Sequence, residues 1–318
     1  MCTYNGAQFL QEQLDSLVSQ TRQPDEVVIC DDQSEDETLT LVERWAGTVP
    51  FKVQIQVNPS RMGSIRNFDK AISHCSGDLI ALCDQDDVWL DHKLGEAETA
   101  FRSEPELGVW FTDALLVDEQ LRTLSQTLWE KLSFGTRLQG KVRGPGAFGI
   151  LLGRSLVTGA TMVFPRRFTG LLQPIPSTLR YFIHDRWIAT IIAAVAPLAC
   201  STRPSMLYRQ HPGQQLGVAD RPSLAETLPA RFSRKQQSYL DDLIVSEALH
   251  DRLCHSPGFQ PAEQALASLD ERIRLLAMRT QLPAPRWHRI LPVATALLNG
   301  RYHRQARGIA SALKDLML

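Results

Sequence analysis

Twice near its start the chain runs through a short, wholly apolar stretch straight into carboxylates: Val27-Val28-Ile29-Cys30 into Asp31-Asp32, and Leu79-Ile80-Ala81-Leu82-Cys83 into Asp84-Gln85-Asp86-Asp87. A continuous apolar run, as opposed to alternation, marks a strand buried on both faces. Amphipathic stretches separate these runs. Ala7 to Ser19 places Phe9, Leu10, Leu14, Leu17 and Val18 on one helical face, and Ser34 with Glu37 reads as a capping box opening a helix faced by Leu39, Leu41, Val42 and Trp45. Val53 to Val57 is a third strand, and a helix follows over Ser64 to His74. This alternation predicts an α/β fold, a doubly wound, mostly parallel, Rossmann-like sheet in which ligands collect at the carboxyl ends of the strands. Both acidic clusters stand at such ends.

Further along, Gly108 to Val117 reads as a strand, Gly140 to Gly153 as a mobile glycine-rich stretch, Gly159 to Phe164 as a return strand, and Tyr181 to Val195 as a helix. The longest apolar run, Trp187 to Cys200, has 14 residues, too few to span a bilayer. Beyond about Asp220 the pattern becomes helical, with proline breaks at Pro257, Pro261, Pro283, Pro285 and Pro292. The expected division is therefore residues 1–220 as the α/β domain and residues 221–318 as a helical, basic C-terminal extension. Only Met1 and Cys2 precede Thr3-Tyr4-Asn5, so the first strand is expected to be truncated by a misassigned start, with apolar codons upstream.

The 318 residues carry 34 Lys and Arg against 35 Asp and Glu, a formal net charge of −1, which gives no overall basic field for nucleic acid. That balance hides an asymmetry. Residues 1–100 hold 7 basic and 18 acidic side chains, residues 101–220 hold 13 and 8, and residues 221–318 hold 14 and 9. From Arg272 to Lys314 there are nine Lys and Arg and no acid, a segment suited to anionic membrane surfaces or an anionic substrate. The six cysteines form no C-x-x-C pair and no secretory signal opens the chain, so a reducing cytoplasm is expected.

Several residues stand out chemically, each with a plainer reading beside it. Asp84 and Asp86, two apart on a turn, can reach one hard divalent cation; they also suit an acidic surface turn. Asp31-Asp32 can accept hydrogen bonds from a base or ribose, or support a helix N-terminus. Tyr4 can pack on a flat base, and Arg66 can neutralise a diphosphate or simply face solvent. Asp185 can take a proton from a hydroxyl or serve as a helix N-cap, and His211 is a metal or phosphate ligand or a structural histidine.

Taken in order, Cys2-Thr3-Tyr4-Asn5-Gly6, Val28 to Thr38, Gly77 to Trp89 and His184-Asp185-Arg186-Trp187 resemble family 2 glycosyltransferases, most nearly their bacterial rhamnosyltransferase-like members. The resemblance covers about Met1 to Gly217. It implies a GT-A fold binding a nucleoside-diphosphate sugar, a dTDP- or UDP-sugar, with Mg²⁺ or Mn²⁺. The metal motif falls on Asp84 and Asp86, with His211 as a further ligand, and the catalytic base on Asp185. Donor contacts fall on Cys2, Tyr4, Asp31, Asp32, Arg66 and Gln85. The segment Tyr208 to His211, with Gln214 and Gly217, looks like an element closing over the diphosphate. The implied acceptor is a glycan or a lipid-linked sugar. A catalytically degenerate nucleotide-sugar or glycan-binding protein is the alternative. A nicotinamide-dependent oxidoreductase is disfavoured, because no G-x-G-x-x-G follows the first strand.

Overall fold

The computed structural model describes residues 1–179, 181–214, 228–283 and 285–317. Two compact units emerge: Met1–Ser177 with Ile183–Ala219, and Thr178–Phe182 with Asp220–Leu318. The domain boundary expected at 220/221, like Gly217, lies outside the described residues.

Among the described residues the first unit holds eleven strands: β1 (Cys2–Thr3), β2 (Glu26–Asp31), β3 (Lys52–Val57), β4 (Leu79–Ala81), β5 (Val88–Trp89), β6 (Val109–Thr112), β7 (Leu115–Val117), β8 (Thr123–Thr127), β9 (Met162–Pro165), β10 (Leu198–Ser201) and β11 (Met206–Arg209). They form three sheets, ordered β1-β2-β3, β10-β6-β9-β4 and β5-β11-β7-β8. The first is wholly parallel, with Cys2 opposite Cys30 and Val28 opposite Gln54. The other two mix parallel pairs, β6 with β10 and β7 with β11, and antiparallel ones, β9 with β4 and β6, β11 with β5, and β7 with β8. Helices Ala7–Val18, Thr38–Ala46, Ser64–His74, Lys93–Ser103 and His184–Ala193 accompany the strands. The α/β class and the buried character of Val27 to Cys30 agree with the sequence reading.

Local expectations needed correction at five places. Val18 stays 40% exposed, because the helix Ala7–Val18 ends there and its core contacts stop at Leu17. Ser34 and Glu37 make no capping box: Ser34 hydrogen-bonds Asp31, and the helix begins at Thr38 without a side-chain cap. The stretch Gly108 to Val117 is two strands in different sheets, broken where the Asp113 carboxylate turns back on the Ala114 N–H. Gly140 to Gly153, expected to be mobile, carries the last three residues of helix Thr136–Val142 and all of Ala147–Gly153, held by buried Val142, Phe148, Leu151 and Leu152. Pro292 lies inside helix Ile290–Leu298, in the first turn, where its missing N–H costs no intrahelical bond.

The second unit is helical. Leu228–Cys254 packs on Glu263–Thr280, and Leu275, Leu282, Val293, Ala296, Tyr302 and Ala312 form its apolar cluster. Beside that cluster the Asp315 carboxylate accepts hydrogen bonds from Arg279 at 2.8 Å, Tyr302 at 2.7 Å, Tyr239 at 2.6 Å and Lys235 at 3.0 Å. Among the described residues, no helix is long and apolar enough to cross a membrane.

Candidate active site

The loop that leaves β4 carries Asp84 to Asp87 and lies against the residues following β1. Cys2 N–H donates to the Cys83 carbonyl at 3.3 Å, and Gln85 closes the contact by accepting the Tyr4 N–H at 2.8 Å and donating to the Tyr4 carbonyl at 3.0 Å. Gln85 thus fixes the backbone of the Tyr4 loop, and Cys2 contributes a buried thiol and backbone groups only. Over the Tyr4 ring sits the Arg61 guanidinium, 4.0 Å from its centroid.

Gly6 makes this arrangement possible, since a Cβ there would lie 2.2 Å from Gln85 Oε1. Gly6→Ala should therefore expel the Gln85 amide and lose its two bonds to Tyr4, each contributing about 1 kcal/mol. Stability should fall by about 2 kcal/mol, with little further loss when Gln85→Ala is added. Additive losses in that double-mutant cycle would refute the clamp.

At the end of β2 both aspartates hold neighbouring loops, each with three hydrogen bonds shared over two oxygens. Asp31 accepts the Thr3 hydroxyl at 2.7 Å and Ser34 through both its N–H and its hydroxyl. Asp32 accepts Asn58 Nδ2 at 2.8 Å and the N–H groups of Met62 at 2.7 Å and Gly63 at 2.8 Å, holding the loop that leads into helix Ser64–His74. The first residue of that turn with a long cationic side chain, Arg66, is exposed and donates from Nε to the Ser177 hydroxyl at 3.1 Å.

Around the β4 loop the carboxylates crowd. Burial, then the charges of Asp86 and Asp185, push the Asp84 carboxyl up to about 7. Asp86 Oδ2 stands 2.8 Å from His211 Nε2, and the His211 ring packs on Phe9 with centroids 4.7 Å apart. Asp87 is buried and raised well above the usual carboxylate range by burial and by Asp86 and Asp84; Oδ1 accepts the Arg209 N–H at 3.0 Å. Arg209 is fully buried, donating to the Asp86 carbonyl at 2.7 Å and to Glu12 at 3.0 Å. Lys93 lies beneath the loop, bonded to the Ala160 carbonyl, and burial lowers its ammonium to about 8 against the pull of Cys83, Asp87 and Asp84. Burial and then the charges of Asp87, Asp84, Asp86 and Asp185 raise the Tyr208 phenol, so it stays protonated.

Asp185 reaches the same place from helix His184–Ala193. It is the second helical residue, not the cap, which is Ile183. Its Oδ2 accepts the Gly159 N–H at 3.1 Å and Oδ1 the Arg186 N–H at 2.6 Å, leaving lone pairs on both oxygens for a further donor. The neighbouring His184 stacks on Phe68 and is held neutral by burial. Two other carboxylates near the preceding strand hold local partners: Asp113 takes the Ala114 and Trp129 N–H groups on Oδ1, and Asp118 accepts Arg122.

Asp86 and His211 are thus in contact at the β4 loop, and Asp84 on the same loop lies within electrostatic reach of Asp86 and Asp185. Asp31, Asp32, Gln85 and Cys2 serve the loops around it. Sequence reasoning passed over Lys93, Asp87 and the buried role of Arg209; only the acidic loop itself, which needs a buried cation nearby, hinted at them. Among the described residues no three His, Cys, Asp or Glu side chains stand ready to hold an ion alone. A hard cation would draw on Asp84 and Asp86 and complete its shell from phosphate and water, an ordinary arrangement for Mg²⁺.

Comparison with known proteins points the same way. Residues 1–148 match the family described as glycosyl transferase family 2. An uncharacterized glycosyltransferase of Nostoc sp. is 31% identical over 108 residues, 33% of this chain and 33% of that protein, so the matched stretch is about a third of that relative. The dTDP-rhamnosyl transferase RfbG of Shigella flexneri is 26% identical over 232 residues, 69% of this chain and 74% of its own. The crystal structure of S. aureus TarS 1-349 in complex with UDP-GlcNAc superposes with a TM-score of 0.55 at 16% identity, covering 98% of this chain and 88% of that one. That last likeness speaks for the fold alone.

Proposed function

Residues 1–148 carry a glycosyl transferase family 2 domain in a GT-A α/β fold, and from that premise we propose that the chain is an inverting glycosyltransferase. It moves a sugar, rhamnose or another hexose, from a dTDP- or UDP-sugar to a glycan or lipid-linked acceptor in cell-surface polysaccharide synthesis, working in the cytoplasm. The rhamnosyl and dTDP parts of this reading draw on the Shigella relative.

One observation carries the proposal: on the acidic loop that leaves β4, within the matched family 2 segment, Asp86 Oδ2 stands 2.8 Å from His211 Nε2, and the charges of Asp86 and Asp185 both reach Asp84 on that loop. Asp84 and Asp86, with His211 beside Asp86, would hold Mg²⁺ or Mn²⁺, which when bound supplies positive charge against a departing diphosphate. Asp185 takes the proton of the acceptor hydroxyl as that oxygen bonds to the anomeric carbon and the bond to the diphosphate oxygen breaks. One displacement of this kind inverts the anomeric configuration. Backbone N–H groups of Gly159 and Arg186 hold the Asp185 carboxylate in place for it. The Tyr4 loop, clamped by Gln85 and lidded by Arg61, offers an aromatic face to the nucleobase.

The test is thermal unfolding across a set of nucleotide sugars with and without Mn²⁺, combined with Asp86→Ala. A donor should stabilise the parent chiefly when metal is present. Asp86→Ala should lose that metal-dependent part, with donor affinity weaker by at least about tenfold. If Asp86→Ala binds donor and cation like the parent, the metal assignment is wrong; hydrolysis or transfer of the stabilising donor separates an enzyme from a binding protein.

A further inference from the structure

Two short helices of the C-terminal unit are apolar on the side that faces water. In Ile290–Leu298 the small Val293 and Ala296 turn inward, whereas Ile290, Leu291 and Leu298 are 53%, 76% and 87% exposed. Ile309–Met317 repeats the inversion: Ala312 is buried, and Ile309 and Leu313 are 57% and 49% exposed. At 100° per residue the exposed aliphatics of each helix fall on a single strip. The two helices pack on each other and turn their inner residues onto the same cluster, so both strips lie on the outside of one layer. Trp287, 82% exposed, stands just ahead of the first strip. Exposed large side chains so grouped mark an interaction surface.

Charge decides what covers it. The strips fall within and around the stretch from Arg272 to Lys314, which has nine cations and no acid. Arg279 and Arg304 are engaged by Asp315 and Glu271, but Arg286, Arg307 and Lys314 are exposed around the apolar residues. A second copy of the chain would bring those cations face to face. An anionic lipid surface satisfies both features, since headgroups neutralise the cations while Trp and aliphatic side chains enter the acyl boundary. We propose that this face of the C-terminal unit docks peripherally on anionic membrane, Trp287, Leu291 and Leu298 inserting and Arg286, Arg307 and Lys314 meeting headgroups. The argument uses the helical unit alone, so it stands or falls apart from the transferase reading; with that reading, it puts the enzyme on the surface where a lipid-linked acceptor is presented.

Flotation of the full chain with vesicles of phosphatidylcholine alone, or mixed with phosphatidylglycerol, at low and high salt tests this. Binding should require phosphatidylglycerol and weaken with salt. Trp287→Ala, and Leu291→Ser with Leu298→Ser, should each weaken it by roughly tenfold, and Lys314→Ser by about fivefold. All are exposed positions, so thermal unfolding should match the parent; Val18→Ser, an exposed aliphatic of the other unit, should bind like the parent. Absence of binding to the mixed vesicles, or equal binding by all variants, overturns the proposal. So does a lipid-free dimer in light scattering that Leu291→Ser with Leu298→Ser disperses, which would assign the face to a second copy. Loss of sugar transfer with lipid binding intact would count against the transferase reading only.

Discussion

Asp185→Asn should lower the rate of sugar transfer by roughly 10²-fold to 10⁴-fold while donor binding stays near that of the parent. The amide has the same shape and retains an acceptor for one of the two N–H groups that now bond Asp185, from Gly159 and Arg186. The lost bond should cost only about 1 kcal/mol of stability, so a folding defect will not mimic the catalytic one. What the amide lacks is a site for the acceptor's proton. Asp113→Asn is the contrasting variant: the two groups it holds, the Ala114 and Trp129 N–H, both bond one oxygen that the amide keeps, so stability and transfer should both stay near the parent. Transfer rates and donor affinities of the two variants decide the matter. Near-parental transfer by Asp185→Asn would reject the base assignment.

A second large effect is expected far from the chemistry. Asp315 is 2% exposed and bonded to Arg279, Tyr302, Tyr239 and Lys235 at once. Asp315→Asn would leave the Arg279 and Lys235 charges without their counterion, destabilising the helical unit by roughly 3 to 5 kcal/mol. The pH dependence follows from the same contacts. Burial alone would raise the Asp315 carboxyl, but the Tyr239 hydrogen bond, the Arg279 charge and the bonds from Tyr302 and Lys235 outweigh it, so the net shift is downward. A carboxyl lowered in the folded state contributes stability above its unfolded pKa, about 3.9, and loses it as pH falls through the folded value. Helical circular dichroism against temperature and pH should therefore show acid destabilisation below about pH 4 in the parent, and less of it in a variant already destabilised at neutral pH. A variant that melts with the parent at neutral pH would show the cluster to be dispensable.

Much of this protein could be read from local pattern. The apolar runs ending in Asp31-Asp32 and Asp84 to Asp87 announced strands, buried from Val27 on in the first but only at Ile80 in the shorter second, the helix over Ser64 to His74 was visible from spacing, and the order of motifs led to the family that residues 1–148 match. Such features are local because backbone periodicity and strand burial depend on neighbours a few residues away. The fate of each polar group was not local. Nothing near Asp32 or Gln85 in sequence names their partners, yet Asn58, Met62 and Gly63 donate to the first and the Tyr4 backbone pairs with the second. Arg209 reaches Glu12 across 197 positions, and Lys93 reaches Ala160 across 67. The outward apolar strips of Ile290–Leu298 and Ile309–Met317 were hidden for the same reason: periodicity gives a helix its apolar residues, but only packing says which of them face the core. Sequence by itself therefore determined the main elements and the resemblance that residues 1–148 bear out, and the tertiary structure decided which donors each carboxylate meets, because a buried polar atom takes whatever donor the fold brings within hydrogen-bond reach.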